Sequence, residues 1–369
     1  MTESTHESTR PAKGFVGYSA DLESEVYAFQ REAYPARPPE TILPNWRWMF
    51  VESAVRLGVA PLVWMYRRNS RVVAHQGAIP VRLKFGTRSL VTGWFVETMA
   101  ANEVRGSAIG PMLVRKSLEE LPCNLSLGQT EQMRELQFAL GWHLVRTLPV
   151  FMLVVKHGFD LRNKLPPLVA EAAAGFLALA DRCAFEWQRW RSRGSWSIAR
   201  VERFGHEHDV LWQQMAEEVT CGVVRDAAYL TWKYQQRPTA AFTCLELRRE
   251  GEVAGIAVLM IREPDAVYRY RRGLIVDLVV RPSDESASRR LLVESVMELR
   301  RMGAVSVVCF LAHLRLERCF QQFGFRSRQA QHQFLVATGG LDEPDSQLIL
   351  DPGAWYLTMG DSDLDAYAG

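Results

Sequence analysis

The chain has 369 residues, 48% of them hydrophobic, enough for a sizeable core and long enough for two domains. Lysine and arginine number 44 against 42 acids, and a balance this close to neutral argues against nucleic acid as the main partner. The six cysteines (Cys123, Cys183, Cys221, Cys244, Cys309, Cys319) form no C-x-x-C pair, which argues against a zinc site or a disulfide framework and for reduced thiols in a cytoplasmic protein.

Residues 1–14 are polar, without periodicity, and read as a disordered N-terminus lacking the apolar stretch of a signal peptide. From Phe15 the pattern becomes globular. Ser24–Ala33 predicts a short helix, Pro35–Pro44 a proline-rich loop, and Asn45–Gly58 a helix rich in aromatics. Strands follow at Leu62–Arg67, Val72–Leu83 and Leu90–Ala101, separated by Asn69-Ser70 and Phe85-Gly86-Thr87-Arg88 turns. Then come a helix at Pro111–Glu120, a strand at Asn124–Leu127, a helix at Thr130–Leu140 capped by Gly141, and a strand at Val145–Val155. This order predicts an α/β fold with a mixed, mostly antiparallel sheet flanked by helices.

Residues 161–199 differ. Pro166-Pro167 open an alanine- and leucine-rich helix ending in tryptophans and arginines. It is too short and interrupted to span a membrane, and residues 168–193 have the make-up of a peripheral membrane helix. Its place between two globular patterns favours a bridging helix that buries its apolar stripe between them.

Residues 200–340 repeat the pattern of 15–160. Tyr229-Leu230-Thr231-Trp232-Lys233-Tyr234 answers Asn45-Trp46-Arg47-Trp48-Met49-Phe50. Val276-Asp277-Leu278-Val279 answers Val96-Glu97-Thr98-Met99, and the Gly324-Phe325 helix ending answers Gly141-Trp142. The chain therefore reads as two copies of one α/β domain, followed by a tail at 341–369. In that tail, aromatics precede Asp361-Ser362-Asp363, a pattern suited to docking back over a cleft and offering acids to an ammonium group.

The first copy carries Arg105-Gly106-Ser107-Ala108-Ile109-Gly110 between a strand and a helix. Small residues there let backbone N–H groups approach a ligand, and the helix N-terminus adds partial positive charge, so the turn is a candidate phosphate cradle. The second copy has Asp284-Glu285-Ser286-Ala287-Ser288-Arg289-Arg290 instead, without glycine and with two acids that would repel a pyrophosphate. Glu97, an acid in an apolar strand, is a candidate general base, the alternative being an acid paired with an arginine for structure. His75 and His143 lie close to predicted strands, where either could act as a base but a core or edge histidine is the favoured reading, and His206-Glu207-His208 reads as a solvated loop rather than a metal site.

The glycine turn after an apolar strand, with the Gly-Trp and Gly-Phe helix endings, resembles the GNAT superfamily of acyl-CoA-dependent N-acyltransferases. The resemblance covers most of the chain as a tandem pair with a degenerate second copy. It implies that Arg105, Gly106, Ser107, Ala108, Ile109 and Gly110 cradle the coenzyme A pyrophosphate, with Ala108 where glycine is usual. It implies that main-chain groups of Thr98, Met99 and Ala100 hold the pantetheine in a splay between the fourth and fifth strands. It further implies transfer of an acetyl group from acetyl-CoA to the primary amine of a small molecule or peptide, without a metal. The tyrosine that often protonates the leaving thiolate is replaced by Gln137. Two other readings stay open: a non-catalytic binding or scaffold protein, and a Fem-type aminoacyl transferase, which the coenzyme cradle and neutral charge disfavour. The acceptor is open among amino sugar, polyamine, antibiotic, peptide and protein amines.

Overall fold

The computed structural model describes residues 13–157, 161, 165–192 and 194–367. Most of the stretch expected to be disordered, residues 1–12, therefore lies outside the described residues, while Lys13 and Gly14 open the first strand. The first half runs β1 (Lys13–Gly17), α1 (Glu23–Ala33), α2 (Pro39–Arg47), a wide π turn (Trp48–Glu52) and α3 (Ser53–Leu57). It continues through β2 (Val63–Arg68), β3 (Arg71–Phe85), β4 (Arg88–Ala100), α4 (Ile109–Glu120), β5 (Asn124–Leu127), α5 (Glu131–Ala139) and β6 (His143–Val154). The expected loop at Pro35–Pro44 is corrected in its second part. Proline is tolerated in a first helical turn, because its missing N–H would be unpaired there anyway, and α2 starts at Pro39.

After α6 (Pro167–Arg191) come β7 (Trp196–Arg200), α7 (His206–Ala216), β8 (Cys221–Val223) and α8 (Ala227–Leu230), which runs into a second π turn (Thr231–Gln235). Then follow β9 (Thr243–Arg249), β10 (Glu252–Arg262), β11 (Arg272–Val280), α9 (Glu285–Arg301), β12 (Ser306–Ala312), α10 (Leu314–Phe323) and β13 (Arg326–Ala337). The tail adds α11 (Glu343–Leu350), β14 (Leu357–Thr358) and α12 (Leu364–Tyr367).

All the described strands join one sheet, ordered β1-β2-β3-β4-β5-β13-β6-β12-β11-β10-β9-β7, with β8 on β3 and β14 on β12. It is antiparallel except where β4 runs beside β5 and β11 beside β12. The last strand of each half crosses over: β13 pairs with β5, and β6 pairs with β12. Alternation along β6 and β13 fits either sheet, so the sequence carries no sign of the exchange. The exchange covers the edge that each half would otherwise expose.

The halves also meet at the two π turns. Trp48 and Trp232 stack with ring centroids 4.9 Å apart. Trp48 Nε1 donates to the Trp232 carbonyl at 2.9 Å, and Trp232 Nε1 returns the bond to the Trp48 carbonyl at 3.0 Å. Stacking adds about 1 kcal/mol beyond the area buried. On β2 and β3 the alternation splits the core. Val63, Met65, Ile79 and Val81 face the main core under α1–α3, while Trp64, Ala74 and Ala78 pack on Leu113 and Leu121 at α4.

The α6 helix corrects an expectation. Its polar side and Phe185 dock on the second half, through Arg189 to Glu294 at 2.8 Å and Phe185 against Phe323. Its apolar stripe faces outward: Leu168 is 83% exposed, Phe176 72% and Trp190 61%. Among the described residues no helix is long and apolar enough to cross a membrane. His206 and His208 begin a helix rather than a loop, and buried His208 sits 2.9 Å from Glu246.

Candidate active site

The site is built on the parting of β4 from β5. The two strands pair in parallel only at Gly93–Asn124 and Trp94–Leu125; β4 then runs on to Ala100 without a β5 partner. A bulge marks the parting. Between the pairs Gly77–Val96 and His75–Met99, β4 has one residue more than β3. The strained residue is Glu97, at φ 56°. A non-glycine residue in the left-handed region costs of order 1–3 kcal/mol and persists only where its surroundings hold it.

His75 does the holding. Its ring is buried, Trp46 Nε1 donates to its Nε2 at 3.1 Å, and its Nδ1 lies 2.9 Å from the Glu97 carbonyl. One nitrogen accepting and the other donating defines a neutral imidazole, and burial lowers its pKa in the same sense. His75 is a satisfied core histidine that fixes the bulge.

The splay opens into a cavity of about 580 Å³. Its walls include Phe95, Glu97, Thr98 and Met99 of β4, Ser126 and Leu127 of β5, Tyr34 and Arg37 from the loop after α1, and Asp363 from the tail. The Glu97 side chain is 2% exposed and bonds at both oxygens: Arg37 Nη2 lies 2.6 Å from Oε1, and Gln30 Nε2 donates to Oε2 at 2.9 Å. Arg37 Nη1 donates to Gln30 Oε1 at 3.2 Å, closing a ring of three side chains. Arg37 also stacks on Tyr34, 3.7 Å from the ring centroid.

Asp363 is delivered from the far end of the chain. Lys233 Nζ donates to the Ser362 carbonyl at 2.6 Å and holds Ser362 at φ 62°, which turns the next residue toward the cavity. Burial, and then the neighbouring Glu97 charge, push the Asp363 carboxyl up to about 6. The acid pattern of the tail pointed to this residue. Arg37 and Gln30 were missed, because their partner lies sixty residues or more away and nothing local links them.

Beyond β4 the glycine turn is exposed. Gly106 takes φ 79°, Ala108 caps α4, and Ile109 N–H meets Ser107 Oγ at 3.3 Å. A Cβ added at Gly106 or Gly110 would meet nothing within 4 Å, so the space over the helix N-terminus is open. That arrangement fits an anion held by backbone N–H groups. Ala100, at the end of β4, and the Arg105–Gly110 turn lie outside the cavity lining; Glu97, Thr98 and Met99 line it. Gln137 is buried and donates to Ser126 Oγ at 2.9 Å, so it orients a wall residue and does not reach the cavity itself. No group of three metal-ligating side chains occurs among the described residues.

No protein-family model matches the sequence, and no curated protein sequence matches it. Solved structures do. A GCN5-related N-acetyltransferase from Anabaena variabilis superimposes with a TM-score of 0.61 at 11% identity, over 89% of this chain and 73% of that one. A probable N-acyltransferase from Enterococcus faecalis gives 0.61 at 10% identity, over 89% and 73%. Saccharomyces cerevisiae N-myristoyltransferase, with bound myristoyl-CoA, gives 0.56 at 8% identity, over 90% and 86%. At these identities the likeness is one of fold, and the fold of this chain, over most of its length, is that of the GNAT N-acyltransferases.

Proposed function

We propose that the protein is an acyl-CoA-dependent N-acyltransferase, with acetyl-CoA as donor and a primary amine as acceptor. The observation that carries this reading is the open β4–β5 splay, with a cavity holding two carboxylates at the parting and an exposed glycine turn at a helix N-terminus beyond the end of β4. In this reading the coenzyme A pyrophosphate rests on Arg105–Gly110. The pantetheine runs along the unpaired edge of β4 at Thr98, Met99 and Ala100, bonding as a missing strand would. The first half alone takes the coenzyme.

Glu97 and Asp363 draw the acceptor's ammonium group into the cavity. Glu97 has committed both oxygens to Arg37 and Gln30, so it supplies charge and fixes the wall. Proton removal falls to Asp363, since a carboxylate with a pKa of about 6 suits a base working near neutrality. The freed amine nitrogen attacks the thioester carbonyl carbon. Main-chain N–H groups at the β4 bulge stabilise the oxyanion, the added nitrogen passes its second proton to water, and collapse breaks the C–S bond to release the amide and the thiolate. The thiolate leaves readily and takes its proton from water, which accounts for a site without the usual tyrosine.

Calorimetric titration with acetyl-CoA tests the donor: saturable binding at one site per chain is expected, and no binding refutes the proposal. A series from acetyl- to myristoyl-CoA then sizes the acyl pocket.

A further inference from the structure

The cavity at the β4–β5 parting is far roomier than an acetyl group requires, and it offers a ligand a single unpaired charge. Three charged residues line it, Arg37, Glu97 and Asp363. Arg37 and Glu97 pair with each other at 2.6 Å. Asp363 is half-buried, accepts from Ser362 Oγ at 3.1 Å, and joins no ion pair among the described residues. From this lining we infer that the acceptor is a hydrophobic monoamine, with its one ammonium group against Asp363, an apolar body against the walls, and no second charge; the assignment to an acceptor rests on the transferase reading.

The uncharged polar side chains of the lining are already engaged. Ser126 Oγ accepts from Gln137 Nε2 at 2.9 Å, and Thr130 Oγ1 accepts from Met133 N–H at 3.3 Å. Gln129 Nε2 donates to the Gln333 carbonyl at 3.2 Å, while its Oε1 is buried beyond a ligand's reach. Thr98 Oγ1 donates to Gln76 Oε1. The rest of the wall is mainly aromatic and aliphatic: Tyr34, Pro35 and Ala36 from the loop after α1, Phe95 and Met99 of β4, and Leu127 of β5. That loop is tied down before a ligand arrives, because Arg37 holds Glu97 and stacks on the Tyr34 ring at 3.7 Å. A wall fixed in advance costs little ordering when the acceptor binds.

Other amines fit this lining poorly. The second ammonium of a polyamine would need a second available carboxylate, and both oxygens of Glu97 are taken by Arg37 and Gln30. The carboxylate of an amino acid would face Asp363 with only Arg37 as a lining cation, and Arg37 is committed to Glu97, Gln30 and Tyr34. The hydroxyls of an amino sugar would give up water for polar groups that already have partners. A long acyl chain in the same space would cover Asp363 and strand its charge away from water. An apolar amine gains on both counts: its ammonium pairs with Asp363, and each methylene it buries adds about fourfold in affinity.

The test is calorimetric titration of the full chain with straight-chain amines from ethylamine to hexylamine, without acyl-CoA, at pH 8, where Asp363 is ionised. Affinity should rise by about fourfold per methylene, to saturable binding of hexylamine at one site per chain. Two probes of matched length carry a second charge: hexamethylenediamine adds an ammonium and aminocaproate a carboxylate. Both should bind at least tenfold more weakly than hexylamine. Asp363→Asn should weaken hexylamine tenfold or more, and saturating acetyl-CoA should leave hexylamine bound, because the donor occupies the β4 edge. A flat series, equal binding of either doubly charged probe, unchanged affinity in Asp363→Asn, or displacement of hexylamine by acetyl-CoA overturns the inference. Failure of acetyl-CoA to bind at all would sink the transferase reading instead, and the amine series and its matched probes would then decide the chemistry of the cavity by themselves.

Discussion

The chain builds the same strand parting twice and uses it in opposite ways. In the first half β4 leaves β5 and a cavity opens between them. In the second half β11 leaves β12 after Ile275–Cys309, and the tail fills the gap. Leu357 and Thr358 pair with Ala312 and Leu311 of β12, and Gly360 N–H donates to the Val276 carbonyl of β11 at 2.8 Å. Only glycine fits there, since a Cβ would lie 2.1 Å from the Tyr234 hydroxyl. Asp277, the counterpart of Glu97, is buried against Arg225, which also bonds Asp361 of the tail at 2.7 Å. The helix termini differ in the same sense. That of α4 stands open, whereas Asp284 caps α9 itself, accepting from Ala287 N–H at 2.9 Å. The lesson is that a ligand cleft in this fold is a backbone feature, and what fills it decides whether it works. The segment that closes the second cleft also carries Asp363 into the first.

The largest effect expected is on the rate. Asp363→Asn should lower kcat by roughly 10²- to 10⁴-fold, the usual worth of a general base, with acetyl-CoA affinity kept. The wild-type kcat/KM should rise through pH 6 as Asp363 loses its proton, and the variant's should not. Stability runs the other way. The folded pKa lies above the unfolded value, so the folded state binds the extra proton between about pH 4 and 6; stability falls as pH rises through that window and stays lower above it. Asp363→Asn should therefore melt higher than wild type at pH 8. A variant both slower and less stable there would mean that Asp363 is a structural acid.

Next comes the closed cleft. Arg225→Met removes the one guanidinium shared by Asp277 and Asp361, leaving two buried carboxylates facing each other. A cost of about 3–5 kcal/mol in urea unfolding is expected, because the uncompensated charges remain. A loss below about 1 kcal/mol would show that apolar packing of Trp355, Tyr356 and Leu357 holds the tail, not the ion cluster.

Much of this comparison was legible in the sequence. The expected repeat sets Trp48 against Trp232, which stack, and Glu97 against Asp277, since those signals are local in the chain. The missing glycines of the second half were visible for the same reason, and the aromatic–acidic pattern marked a tail that docks. What stayed hidden depended on partners. Arg37 sat in a stretch that reads as a proline-rich loop, and no periodicity connects it to Glu97. The exchange of β6 and β13 was invisible because a strand's alternation tells which face is buried, not which neighbour it pairs with. The α6 stripe was read inward because its place in the chain suggested an interface, and sequence position alone does not orient a helix face.

Two smaller effects separate the helix termini. Gly106→Val forces a β-branched side chain into the left-handed region, costing about 1–2 kcal/mol by backbone strain. The turn should relax away from the geometry that presents its N–H groups, so acetyl-CoA affinity should fall roughly tenfold or more by calorimetry. Asp284→Ala is the opposite operation on the other terminus. It removes a self-supplied cap and frees the N–H of Ala287, for a loss of about 1 kcal/mol. It also leaves Arg249 without its 2.7 Å partner, a surface pair worth little. If an exposed N-terminus were sufficient for coenzyme binding, this variant would take up a second acetyl-CoA. It should not, because the cleft leading from that terminus is still occupied by Thr358 and Gly360; the stoichiometry should stay at one per chain, and a value of two would mean that the cap, not the tail, is what silences the second half.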